Sequence, residues 1–425
     1  MINITILNKK NTSARNTVLF LLGRFISLFG TYTYDFAISL YVLKTTNSAK
    51  MFSISLAIAA ITRVLLSSFA GVISDKLDRK KLAVISDIMS GIVVLALFLL
   101  ATADSLRISY IFITTFLLTI CNVFFDVTII ASLPNLVDNK NLTRINSLNT
   151  SMDSATQILS PIVGGVVFAF IDIKLLILIN GISFIISAIA EQFIDFNYNI
   201  AQPMEEEPEN EGKKESLGAD LKKGFSYIRS NQVLYTIIIF SLAMNFIIQF
   251  GLVVPVPYIL NNVICLSESQ YGIIQAMFAI GMLCGSTLLS LLPQREKNYK
   301  NIIGGLSIFS IFFTMIGIFI VPGLFALSKF NYFIIYSVIY LILAISMTIT
   351  NVPIIVTIQK FTPDNLRGRV FGLMTAMSGG IAPLGMIISG TLVEIIPAFI
   401  LPISSGIVLI IITFIISMNK ELKEF

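Results

Sequence analysis

Residues 71–103 read GVISDKLDRKKLAVISDIMSGIVVLALFLLATA, a short charged turn followed by a long uninterrupted apolar run. At about 1.5 Å of rise per residue, such a run crosses the roughly 30 Å hydrocarbon core of a bilayer as one helix. The turn before it carries Asp75, Lys76, Asp78, Arg79, Lys80 and Lys81, a density of charge that hydrocarbon does not tolerate. Charged turn and apolar run form a unit that recurs along all 425 residues. With 56% hydrophobic and 12% charged residues, and a mean hydropathy of +0.88, the chain has more apolar surface than a soluble core can enclose. Lipid is its solvent.

Twelve spans are predicted, at 17–42, 51–74, 82–103, 109–136, 147–171 and 175–196, then at 233–260, 271–292, 301–323, 332–360, 370–393 and 396–418. This gives an all-α membrane protein of two pseudo-symmetric six-helix bundles, 17–196 and 231–418. The bundles are flanked by a polar segment 1–16 and a tail 419–425. Segments assigned to one side hold 22 of the 29 Lys and Arg, counting Lys360 at the very end of the span 332–360, the other side holds 5, and Arg24 and Arg63 lie inside spans. The positive-inside bias then puts both termini in the cytoplasm. Residues 1–16 are too polar for a secretory signal, and the first apolar run is long enough to span.

Between the bundles, 197–230 contains QPMEEEPENEGKKES and reads as a solvated cytoplasmic linker. Its end, GADLKKGFSYIRSN, can form a short amphipathic helix on the membrane surface. The halves also resemble each other at an offset of 225 residues, with Arg144, Leu148, Met152 and Gly165 matching Arg369, Leu373, Met377 and Gly390. A parallel duplication of this kind builds a substrate site near the midplane where the halves meet.

Polar groups inside the spans are the candidate site. In the first span Arg24, Thr31 and Asp35 share a face, and in the fourth Thr115, Thr119, Asn122 and Asp126 recur at helical spacing. In a chain without histidine, Asp35 and Asp126 are the candidate proton carriers, because removal from water favours the protonated form of a carboxylate. A structural pairing of these acids with Arg24 or Arg63 is the alternative. Ser241, Asn245 and Gln249 in the seventh span, with Thr348 and Asn351 in the tenth, can bond a substrate or tie helices together. Tyr34, Phe125, Phe246 and Phe250 adjoin these stripes and suit an amphipathic organic molecule, although core packing explains aromatic neighbours as well. Asp87, Asp153 and Glu191 are read as interfacial.

The turn Gly71–Lys81 resembles the loop signature of the major facilitator superfamily, G-x-x-x-D-[RK]-x-G-[RK]-[RK], with Asp78 standing where the pattern has glycine. Gly71 is expected to permit close helix approach, Asp75 to accept backbone N–H groups, and Arg79 and Lys80 to hold the loop in the cytoplasm. FTPDNLRGRVFG, at 361–372, resembles the equivalent loop of macrolide-efflux-type and siderophore-exporter-type permeases, with Pro363 and Asp364 opening a helix and Arg367 and Arg369 in reach of carboxylates. SPIVGG in the fifth span, with Pro161, Gly164 and Gly165, resembles a glycine-proline element of drug–proton antiporters, and plain helix packing explains the same residues.

The resemblance implies alternating access powered by a proton gradient, with no cofactor, and export of amphipathic compounds such as macrolide-like drugs or siderophores by a monomer. Proton-coupled uptake of a small metabolite is the alternative. A membrane-embedded enzyme is the remote one, since the chain offers neither a histidine-based nucleophile nor a metal cluster. Cys121, Cys265 and Cys284 lack metal-binding spacing and read as packing residues. No GxxxxGK[ST] loop points to a nucleotide, and the dispersed basic residues, explained by orientation, do not point to nucleic acid.

Overall fold

The structure, a computed structural model, describes residues 2–138, 141–199, 225–291, 299–325 and 327–418. Among them there are helices and no strands. In chain order the helices are α1 (Ile2–Thr46), α2 (Ala49–Lys76), α3 (Arg79–Ala103), α4 (Ile108–Leu136), α5 (Leu142–Phe170) and α6 (Ile173–Gln192). Then come α7, running through Gln232–Ile248, Gln249–Val253, Pro255–Tyr258 and Ile259–Val263, and α8 (Glu268–Leu291), α9 (Tyr299–Ile318), α10 (Lys329–Phe361), α11 (Asp364–Val393) and α12 (Ile400–Met418). Eleven helices among the described residues are long and apolar enough to cross a membrane, and α1 is not one of them. Its middle carries Arg24 and the polar run Thr31–Asp35, which dilute an otherwise apolar segment.

Most helix ends have visible causes. Asp78, Asp172, Asn231 and Ser328 accept a backbone N–H from the first turn of α3, α6, α7 and α10 respectively. Pro363 stands at the N-cap position of α11, as its fixed φ suits. Helix α1 starts well before the expected residue 17. At the expected start, fully buried Asn16 anchors the helix: its Nδ2 donates to the carbonyl oxygens of Leu136 and Asp195, each at 3.0 Å, and its Oδ1 accepts from the Asp195 N–H at 3.1 Å. The expected amphipathic helix before α7 is described only over 225–230, which are helical; the rest of the linker, apart from 197–199, lies outside the described residues.

The chain forms two compact units, Met1–Tyr41 with Ile58–Glu209, and Val42–Ala57 with Asn210–Phe425. In the first, α3 packs on α4 and α6; in the second, α9 packs on α10 and α12. The third helix of each set of six thus takes the fourth and sixth as neighbours. Large apolar side chains such as Leu65, Phe69, Phe170, Leu291 and Phe414 stay exposed, the pattern of a protein solvated by lipid.

The turn between α1 and α2 belongs to the second unit. Lys44 pairs with Glu268, Ser48 donates to Glu394, and the Lys50 N–H reaches the same Glu394 oxygen at 3.1 Å. Gly390 makes the seat possible, since a methyl group there would come within 2.9 Å of the Ala49 carbonyl oxygen.

Candidate functional site

Helix α1 carries Arg24 into the interior of the first unit, where its side chain is 5% exposed. Its Nη1 donates to Asp126 Oδ1 of α4 at 3.3 Å, and Nη2 lies 3.6 Å from Asp153 Oδ1 of α5. The second Asp126 oxygen lies 3.8 Å from Nη1 of the largely exposed Arg63 on α2. Four helices therefore contribute two guanidinium groups and two carboxylates whose charges cancel. Both carboxylates keep close to a third of their surface open, 32% for Asp126 and 31% for Asp153.

This geometry gives Asp126 the structural partners that the alternative reading required. Asp35 behaves differently, lying exposed on α1 with no hydrogen bond or ion pair among the described residues. Thr31 and Asn122 are half-buried. Thr119 is buried and its hydroxyl bonds the Thr115 carbonyl oxygen at 2.7 Å. Tyr34 and Phe125, expected to border a cavity, instead sit in packed interior: Tyr34 is 1% exposed, and Phe125 packs with Phe20, Ile129 and Leu133. At these two positions ring bulk fills space between helices, a demand that helical spacing alone cannot separate from lining a cavity.

In the second unit Ser241, Asn245 and Asn351 line one cavity together with Met244, Phe309 and Thr350. The side-chain oxygens of Asn245 and Gln249 are buried without a hydrogen-bond partner among the described residues. An unpartnered amide oxygen in an apolar wall is costly unless a ligand or water supplies a donor. Gln249 does not line that cavity, because α11 packs against it at Gly385.

The loop after α2 differs from expectation in one respect. Gly71 makes no close approach, since a methyl group placed there would meet no atom within 4 Å. The side chains of Asp75, Arg367 and Arg369 lie outside the described residues. Asp78, the departure from the glycine pattern, caps α3 through the Lys81 N–H at 3.1 Å. Arg79 donates to the Ala131 carbonyl oxygen at 2.8 Å, and Lys80 reaches the carbonyl oxygens of Gln192 and Ile194 at 2.7 and 2.9 Å. Lys80 thus answers the unpaired carbonyls where α6 ends. In α5, Pro161 lies inside the helix, Gly165 is buried, and a methyl group at Gly164 would press on Phe36 at 2.9 Å, which is a packing role.

Asp87, Asp153 and Glu191 are not the interfacial residues that their positions suggested. Asp153 pairs with Arg24, and Asp87 and Glu191 are buried. The signal that finds Glu191 is a second polar stripe, Asn180, Ser183, Ser187 and Glu191, at steps of three and four along α6.

Comparison with known proteins agrees with this architecture. The chain is 23% identical to macrolide efflux protein A of Streptococcus pyogenes over 407 residues, 95% of each chain. Among solved structures it resembles the nucleoside transporter NupG, with a TM-score of 0.71 at 14% identity, covering 96% of this chain and 100% of that one. It likewise resembles a bacterial homologue of the iron transporter ferroportin in an inward-facing state, with a TM-score of 0.70 at 15% identity, covering 96% and 99%. The protein is a multi-pass membrane transporter and not an enzyme. The family model described as Major Facilitator Superfamily matches residues 20–386, and the chain belongs to that superfamily.

Proposed function

We propose that this transporter exports amphipathic organic compounds, with macrolide-like drugs as the leading class and siderophores as the next, in exchange for protons. The observation that carries the proton-coupled reading is the balanced set of Arg24, Asp126, Asp153 and Arg63, in which a nearly dry guanidinium holds two partly open carboxylates. A proton arriving on Asp126 removes its charge and loosens its hold on Arg24. The side chain of Arg24 is then free to favour Asp153, and the helices that carry these groups change partners. Protonation on the outer side would thereby favour release of substrate, and loss of the proton inside would reset the site. Similarity to macrolide efflux protein A along nearly the whole length supports export of this substrate class.

In the second unit the cavity lined by Ser241, Asn245 and Asn351 is the proposed substrate contact, its apolar wall suiting a hydrophobic skeleton and its amide groups a hydroxyl or carbonyl. The same reading has the protein in the inner membrane with both termini cytoplasmic, and the distribution of Lys and Arg supports that orientation. Inverted vesicles containing the full-length protein test the reading. Accumulation of a radiolabelled macrolide on internal acidification, abolished by a protonophore, is the expected result. Uptake that ignores the gradient overturns proton coupling, and gradient-driven loss of substrate from the vesicles overturns export in favour of import.

A further inference from the structure

Two carboxyl groups of the first unit take no part in the arrangement above. Asp87 on α3 is fully buried and Glu191 on α6 is 3% exposed. The two helices press together closely, since a methyl group at Gly91 would come within 3.2 Å of the Gly181 carbonyl oxygen. Across this interface the two carboxyls face one another with the Ser187 hydroxyl beside both. That hydroxyl has one proton to donate. Its Oγ lies 3.4 Å from Glu191 Oε1 and 3.3 Å from the Gly23 carbonyl oxygen. Both oxygens of Asp87 and Oε2 of Glu191 are left without a donor among the described residues, as is the buried Ser90 Oγ one turn along α3.

The charged and titratable groups that face the pair are few. Helix α1 presents Arg24, whose two Nη atoms hold Asp126 and Asp153 and whose buried Nε has no partner. Helix α4 presents Asp126 and, beside Ser90, Cys121. The one guanidinium in range is therefore already matched by carboxylates, and two further buried negative charges would stand without a cation. Two ionised carboxylates are also acceptors only and cannot bond each other, whereas one proton turns one of them into a donor.

We infer that Asp87 and Glu191 share at least one proton in this conformation and form a proton-carrying site behind Arg24. The carrying role rests on the proton-coupled reading above. Arg24 stands between two acidic sets. When Asp126 takes up a proton it lets go of Arg24, and the freed Arg24 charge favours departure of the proton held between Asp87 and Glu191, which leaves to water as the pair becomes ionised.

Infrared difference spectra of the full-length protein in proteoliposomes test the shared proton directly. At neutral pH the expected result is a carboxylic-acid C=O band that shifts in heavy water, persists in Asp126→Asn, and is lost or displaced in both Asp87→Asn and Glu191→Gln. Its absence from the wild type, or its persistence unchanged in both variants, overturns the inference. The transport arm expects Glu191→Gln to lose gradient-driven accumulation while still exchanging labelled for unlabelled macrolide with no gradient applied. If the wild type follows the gradient and both variants follow it equally, the carrying role falls and proton-coupled export stands. A wild type that shows the band yet ignores the gradient overturns the coupling and leaves the shared proton in place.

Discussion

Arg24 holds Asp126 at 3.3 Å from a position almost sealed from solvent, while Asp126 keeps a third of its own surface open. The two partners therefore respond differently to removal. Arg24→Ala leaves Asp126 and Asp153 facing each other, with Arg63 as the remaining nearby cation. The expected cost is about 2 kcal/mol, below the range for a fully buried pair because both acids remain partly solvated. Thermal unfolding in detergent should show this loss for Arg24→Ala and a much smaller one for Arg63→Ala.

Asp126→Asn removes one charge and keeps the shape, so the protein is expected to insert and unfold much as the wild type does. Gradient-driven macrolide efflux should disappear. Normal efflux by this variant would remove Asp126 from the coupling chemistry and leave it as a structural partner of Arg24.

The Asp78 cap makes a prediction that separates backbone freedom from hydrogen bonding. Asp78→Ala is expected to cost about 1 kcal/mol, while Asp78→Gly costs only a few tenths of that, roughly 0.3 kcal/mol, because glycine is itself tolerated at an N-cap. Chemical denaturation of the two variants side by side checks the ranking.

Lys44 and Glu268 tie the turn between α1 and α2 to α8, and both are partly exposed. A double-mutant cycle with Lys44→Met and Glu268→Gln should give a coupling of about 0.5 kcal/mol that shrinks as salt is raised. Coupling that does not respond to salt would mean that packing, not charge, joins the two positions.

Asn245 offers a buried oxygen without a partner beside the cavity of the second unit. Asn245→Leu should therefore leave stability unchanged or raise it slightly, while weakening macrolide binding by roughly tenfold, about 1.4 kcal/mol. Binding measured on purified protein, compared with its melting temperature, separates the two effects. Equal losses in both would assign Asn245 to helix packing.

Eleven of the predicted spans were legible because lipid imposes one rule on them, an unbroken apolar length with internally bonded backbone, and α1, with Arg24 and Asp35, is the one that departs from it. Asp153 and Glu191 were not legible, because both lie near the ends of the predicted spans, where hydration is the cheaper assumption, whereas α5 begins at Leu142 and carries Asp153 about three turns inside. Asn180, Ser183, Ser187 and Glu191 repeat at helical spacing, but nothing in that spacing says that Asp87 of α3 stands opposite. Gly71 erred the other way. A glycine beside a charged turn suggests a close crossing, and the space beside it is open. Tyr34 and Phe125 failed for a third reason, since an aromatic ring next to a polar stripe can face either the stripe or the core.

Helix α7 changes its winding twice, through the π-helical segments Gln249–Val253 and Ile259–Val263 on either side of Pro255 and Pro257. Each wide turn admits an extra residue, which rotates everything after it by about 100° around the helix axis. The azimuth shared by Ser241, Asn245 and Gln249 therefore ends at Gln249. A mutational scan of α7 must be phased separately before Gln249 and after Val263, since a residue eight or eleven places beyond Asn245 points elsewhere than a uniform spiral would have it.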